Sequence, residues 1–163
     1  MGAVRGLGAL LVLLSGGLWG LFQAKKLWDR ERLLLDLSSL LRRCAASIRY
    51  AGRPLGEWVR QEEKASRFCW EAARRPCFAA DPRAALEQAG KSLLTREEDR
   101  AVYLGFVRGL GESGVQDQLE HIQLYEALLG PCLGKAREER SGKTRLYLAL
   151  GLFCGITLCL ALL

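Results

Sequence analysis

The sequence predicts an all-α protein, a bundle of about five to six helices flanked by two transmembrane helices, on three observations. The 163-residue chain opens and closes with uncharged apolar runs, at 6–22 and 146–163. Between them apolar residues recur at steps of three and four, the spacing that lines one face of a helix. No stretch alternates apolar and polar residues long enough to argue for a strand. The expected organisation is an N-terminal transmembrane segment at 1–22, a cytoplasmic helical domain at 23–145 and a C-terminal transmembrane segment at 146–163.

Each apolar run reaches about 26 to 27 Å as a helix at ~1.5 Å per residue, close to the ~30 Å hydrocarbon core of a bilayer. The first run is expected to be retained as an anchor, because Gln23-Ala24-Lys25-Lys26 follows it where a signal peptide would carry a small-residue cleavage site. Myristoylation is not expected, since Gly6 stands where the acceptor pattern wants Ser or Thr. Lys25, Lys26, Arg30 and Arg32 follow the first run, and Lys135, Arg137, Arg140, Lys143 and Arg145 precede the second. Only Arg5 and the amino terminus lie on the far side, so both flanks orient the middle toward the cytoplasm of a two-pass cell-membrane protein. Attraction to anionic headgroups accounts for these basic residues, and Trp19, Trp28 and Tyr147 suit the headgroup levels. Gly16 with Gly20, and Gly151 with Gly155, have the four-residue spacing that lets spans pack on each other or on partner subunits, though 18 Gly in the chain also produce such pairs by chance.

The segment 23–145 carries 23 basic and 18 acidic residues, a solvated surface around one modest core. Leu33, Leu34, Leu37, Leu40, Leu41, Cys44 and Ile48 form one stripe on a helix from about Asp29 to Tyr50, continuing from the first span. Gly52-Arg53-Pro54 stops it, and a second helix starts near Leu55. Trp58, Val59, Phe68 and Trp70 are expected in the core. Arg75-Pro76 ends that stretch. Asp81-Pro82 supplies an N-cap with Pro in the first turn, opening a short helix that Gly90 closes. Thr95 and Glu98 have the spacing of a capping box, and Val102, Tyr103, Phe106, Val107 and Leu110 give the next buried side. Gly109-Leu110-Gly111 with Gly114 breaks the chain. Leu119, Ile122, Tyr125, Leu128 and Leu129 then restart a helix in which Gly130-Pro131 is expected to cause a kink or a short break.

The chemistry that would make an enzyme is missing from the pattern. Gly90-Lys91-Ser92 and Gly142-Lys143-Thr144 lack the Gly five residues earlier that a phosphate-wrapping loop needs; Ala85 and Arg137 stand there. No CxxC or HxxxH spacing occurs and His121 is the only imidazole, so no metal and no cofactor is expected. The six cysteines are scattered and read as buried thiols in a reducing compartment. Glu62-Glu63, Glu97-Glu98-Asp99 and Glu138-Glu139 point in different directions on a helix and read as solvent-facing charge. Basic residues are interleaved with acidic ones away from the membrane ends, which argues against nucleic acid. What remains is a membrane-anchored helical interaction module.

Three blocks carry a resemblance: Asp36-Leu37-Ser38-Ser39-Leu40-Leu41; Ile48-Arg49-Tyr50-Ala51-Gly52-Arg53-Pro54-Leu55-Gly56-Glu57; and Phe106-Val107-Arg108-Gly109-Leu110-Gly111, with Gln118, His121, Ile122 and Leu124 following. With a span at each end, the chain resembles the stage III sporulation protein AB family of endospore-forming bacteria over its whole length. It departs at Gly114, where the family usually has an acidic residue, and at Gly130-Pro131, where a charged helix is usually unbroken. The resemblance implies a mother-cell membrane component of the channel to the engulfed forespore. It also implies likeness to the cytoplasmic helical domain of type II secretion F-type platform proteins, with other stage III subunits and a secretion-type ATPase as partners.

The expectation is thus a non-enzymatic platform that docks other subunits, with self-association left open. Arg49, Tyr50, Pro54, Leu55, Leu110 and Gly111 are the candidate contact residues. Each has a structural alternative, since Tyr50 and Pro54 can serve only to fix a turn and Leu110-Gly111 can be a helix cap. The rivals are an adaptor unrelated to secretion and a bilayer-surface enzyme using His121, which would need a pocket and a carboxylate beside that imidazole.

Overall fold

The structure, a computed structural model, describes residues 2–50, 52–111 and 114–162, with the side chains of 2–20 and of much of the stretch from 143 onward outside the described residues. Among the described residues there are six α-helices and no strand. They are α1 (Gly2–Tyr50), α2 (Leu55–Glu62), α3 (Arg67–Ala73), α4 (Pro82–Leu93), α5 (Glu97–Arg108) and α6 (Val115–Leu162), with a 3-10 turn at Pro76–Ala79 between α3 and α4. The all-α expectation holds. No helix among the described residues is long and apolar enough to cross a membrane. Most side chains of the two expected spans, and the pairs Gly16/Gly20 and Gly151/Gly155, lie outside the described residues.

Packing divides the chain into two units. Unit 1 is Met1–Glu31 with Lys135–Leu163, and unit 2 is Arg32–Gly134. In unit 1, α1 and α6 are joined by charge. Glu31 is 5% exposed, and its carboxylate lies 2.8 Å from Arg140 and 3.6 Å from Arg137. Arg30 pairs with Glu139 at 2.8 Å, and the Arg140 guanidinium lies 4.6 Å from the Trp28 ring centroid. Ala24 and Ala136 are buried small residues that permit close helix approach.

Unit 2 follows the expected apolar stripe. Leu34, Leu37, Leu40, Leu41 and Cys44 are buried along α1. After Tyr50 the backbone turns through Gly52, whose φ of 53° falls in the left-handed region that glycine tolerates best. Its N–H bonds Ser47 O at 3.2 Å, closing the helix end. The expected single stretch from Leu55 to Arg75 is instead two helices. Ser66 caps α3 by accepting from Phe68 N, and its hydroxyl donates to Asp36 Oδ2 at 3.1 Å. That same carboxylate oxygen takes the Arg67 N–H at 2.8 Å, so an α1 side chain holds the first turn of α3 and ends the helix before it. Arg43 also serves this junction, 3.8 Å from Asp36 and 2.6 Å from Glu62. The latter approach is an ion-pair contact and not an aligned hydrogen bond.

Burial raises the Asp36 carboxyl above its ordinary range, against the lowering effects of the Arg67 N–H, Ser66 and Arg43. A raised native value means the folded state holds the proton more tightly, so this group's contribution is greatest in acid and is lost as pH rises through its native pKa. Asp36→Asn is expected to flatten the pH dependence of stability just above the ordinary carboxyl range, with less than about 1 kcal/mol change at neutrality because the amide oxygen still accepts. Denaturant melts of both proteins across that range check this; parallel pH profiles would refute it.

Asp81 caps α4 by accepting from Ala84 N at 3.0 Å, with Pro82 in the first turn, as the Asp81-Pro82 pair predicts. The helix does not close at Gly90 but runs to Leu93. Gly90 is buried with the Tyr103 ring seated where a Cβ would stand, so it makes room and does not act as a stop. The expected Thr95–Glu98 box does not form, because the cap position falls on Arg96, whose side chain makes no capping bond. Trp70 is 44% exposed beneath the Arg74 guanidinium. In a seven-residue helix Phe68, Cys69 and Ala72 already fill the buried side. Leu128 is likewise exposed, while Leu119, Ile122 and Leu129 of α6 are buried. α6 runs through Pro131 without a break. Pro131 and Ala127, whose carbonyl loses its helical donor, are both exposed, so water can take that bond.

Candidate functional site

One cleft in unit 2 gathers part of the motif residues. The end of α1 contributes Cys44, Ser47 and Ile48, the following turn Gly52 and Arg53, and α2 Leu55 and Trp58. The opposite wall is Leu110 and Gly111 from the turn after α5, with Val115 and Gln118 of α6. The space between them is about 190 Å³. Local chemistry sets these walls. Gly111 takes φ 78°, a left-handed value that turns the chain out of α5. Arg83 of α4 donates to the Leu110 carbonyl at 2.6 Å and pins the turn from below. Arg53 bonds the side chain of Gln61 on α2.

Of the six candidate residues, Leu55, Leu110 and Gly111 line the cleft together. Arg49, Tyr50 and Pro54 do not line it. They are exposed along the same helix end and turn, Tyr50 at 83%. Trp58 and Ile48, legible only as a core and a stripe residue, also line it, and so does Val115, which no sequence pattern singles out. Trp58 is 4% exposed, and its indole N–H is buried with no acceptor among the described residues. A buried donor without an acceptor is costly, so a carbonyl brought close to it gains more than an ordinary hydrogen bond would.

The lining is mostly apolar, with Ser47, Arg53 and Gln118 as its polar members, and lacks an acid–base pair. Cys44, its one thiol, has a pKa pushed up to about 12 by burial and, secondarily, by Glu62, so it stays protonated and is a poor nucleophile at neutral pH. Cys69 behaves the same way, at about 12, through burial with Glu62 and Asp36 nearby. His121 lies elsewhere, on α6. Its Nε2 is 3.0 Å from Phe106 O, its ring is tilted on Tyr125, and it fits against the bare Cα of Gly109. Among the described residues no carboxylate pairs with it, and no three His, Cys, Asp or Glu side chains gather as metal ligands. Gly90-Lys91 lies inside α4 and Gly142-Lys143 inside α6, where backbone N–H groups are spent on helix bonds and cannot wrap a phosphate.

Comparison with curated proteins and with solved structures finds no match. The model of the family described as stage III sporulation protein AB matches residues 5–163, which include both apolar runs, the turn at Gly52–Pro54 and the cleft. By that match, over nearly the full length of a helical chain carrying these motifs, the protein belongs to the stage III sporulation protein AB family.

Proposed function

We propose that this chain is a non-enzymatic platform subunit of the stage III sporulation complex: a two-pass membrane protein whose central part is cytoplasmic and docks other subunits. Family membership supports a role in sporulation. The observation that carries the docking role is the Leu55–Trp58–Leu110 cleft. It has a mostly apolar lining and exposed Tyr50 nearby, without a nucleophile or base to do chemistry. Its occupant is an apolar side chain of another stage III subunit. A secretion-type ATPase, the partner that the family resemblance implies, supplies the energy. The two uncharged runs and their basic flanks support the membrane topology.

Co-purification from sporulating cells tests the docking role. The wild-type chain is expected to bring down other membrane subunits of the complex. Tyr50→Ser combined with Leu55→Asp is expected to lose them while keeping its thermal midpoint within a few degrees. Retention of every partner by that variant would remove the cleft from the interface. For topology, Cys77 is the useful reporter, since it is half-buried whereas Cys44, Cys69 and Cys132 are buried. A membrane-impermeant thiol reagent should modify Cys77 in inverted vesicles and spare it in intact cells. The reverse pattern sinks the cytoplasmic placement.

A further inference from the structure

The two units differ sharply in charge. Unit 2 is almost balanced, with fifteen basic and fourteen acidic residues, whereas unit 1 carries nine basic against four acidic. The excess of the whole chain therefore sits in unit 1. Ion pairing then sorts its basic residues. Arg30, Arg137 and Arg140 are held by Glu139 and Glu31. Lys25 and Lys26 are exposed, and neither is paired with a carboxylate among the described residues. Around them Leu21, Phe22 and Trp28 are also exposed, and Lys26 Nζ lies 4.8 Å from the Phe22 ring centroid.

Leu21, Lys25 and Trp28 follow one another at helical steps of four and three, and Phe22 and Lys26 form the adjacent row. One continuous face of α1 thus presents two exposed ammonium groups among large apolar side chains. We infer that this face, residues 21–28, binds the headgroups of anionic phospholipids, the phosphodiester oxygens meeting Lys25 and Lys26 while Leu21 and Phe22 enter the acyl boundary and Trp28, with Arg140 over its ring, sits at the headgroup level. The inference rests on the membrane reading above and narrows that headgroup attraction to one face of α1 and the two lysines that select the lipid. Lysines suit this task because their long stems lie along apolar surface and lift the charge to the headgroup plane. A free inorganic phosphate would have no use for the three apolar neighbours. Arg30, Arg137 and Arg140 contribute less, because Glu139 and Glu31 already meet their charge.

The test uses the full chain reconstituted into nanodiscs of mixed phosphatidylcholine and phosphatidylglycerol, then released for native mass spectrometry to count retained lipids. Phosphatidylglycerol is expected to be retained preferentially. Lys25→Gln with Lys26→Gln is expected to weaken that preference by roughly 25-fold, about fivefold per lysine, while Arg42→Gln, an exposed site in unit 2, leaves it unchanged. Equal retention of the two lipids by the wild type, or an unaltered preference in the double lysine variant, overturns the inference while leaving the spans intact. Displacement of phosphatidylglycerol by excess inorganic phosphate would mark a free-anion site and overturns it as well. A chain that stays out of the nanodiscs and washes from membranes with carbonate defeats the membrane reading itself, and this inference with it.

Discussion

Phe68→Ala is expected to cost about 3–5 kcal/mol of stability, the range for truncating a fully buried aromatic. Phe68 has no exposed surface, and its ring stacks on Tyr103 with centroids 4.6 Å apart at an interplanar angle of 22°. Around this pair the short helices of unit 2 meet. Tyr103 belongs to α5, its hydroxyl donates to Leu86 O of α4 at 3.0 Å, and Phe68 is the first inward residue of α3. Removing the ring leaves a void that α3, only seven residues long and held at one end by Ser66 and Asp36, has little means to close. A domain of this size has a total stability of about 5–15 kcal/mol. The substitution therefore brings unit 2 near unfolding and should lower its thermal midpoint by well over about 10 °C. Circular dichroism melts of the full chain in detergent check this, with Phe68→Leu as a milder companion. A loss below about 1 kcal/mol would show that the stack is not where the core is anchored.

The contacts that decide this core mark the boundary of what was legible in the sequence. Elements set by neighbouring residues were readable: the α1 stripe from Leu34 to Cys44, the stop at Gly52–Pro54, the Asp81 cap and the turn after α5. Each depends on backbone or spacing preferences acting within a few positions. The misreadings are long-range. The break between α2 and α3 went unread because the partner that holds Ser66, Asp36, is thirty residues earlier on another helix. Gly90 looked like a stop because nothing local announces Tyr103. Pro131 looked like a break, but it lies on an exposed face where the freed carbonyl can find water.

The candidate site was legible to the same extent. Leu55, Leu110 and Gly111 were singled out as motif residues, and the fold brings them to one cleft although Leu55 and Leu110 are far apart in sequence. Arg49, Tyr50 and Pro54 belong to the same block but stand outside the lining, because successive residues at a helix end and turn face different ways. Trp58 was read as a core residue, which its burial supports. That its N–H has no acceptor among the described residues depends on what the fold places around it, and no spacing rule contains that information.

Gly90→Val is expected to destabilise unit 2 by about 3 kcal/mol or more. Overpacking a closed core typically costs about 1–3 kcal/mol, and two features of this site raise the figure. The new Cβ would fall on the Tyr103 ring itself, against rigid aromatic carbons and not the tip of a flexible chain. That ring cannot swing aside without breaking both its stack on Phe68 and its buried hydroxyl bond to Leu86 O. The valine side chain is also branched at Cβ, which restricts it further within a helix. Gly90→Ala separates the contributions, because alanine gains about 1 kcal/mol of helix propensity over glycine yet places the same first carbon against the ring. If α4 merely tolerated a helix-weakening glycine there, Gly90→Ala would raise the melting midpoint. If the glycine makes room for Tyr103, it lowers the midpoint, and Tyr103→Leu should relieve much of the penalty. Strong coupling between 90 and 103 in that double-mutant cycle is the expected outcome, because residues in direct contact do not add. An additive result would mean that the close approach of α4 and α5 does not depend on the missing side chain.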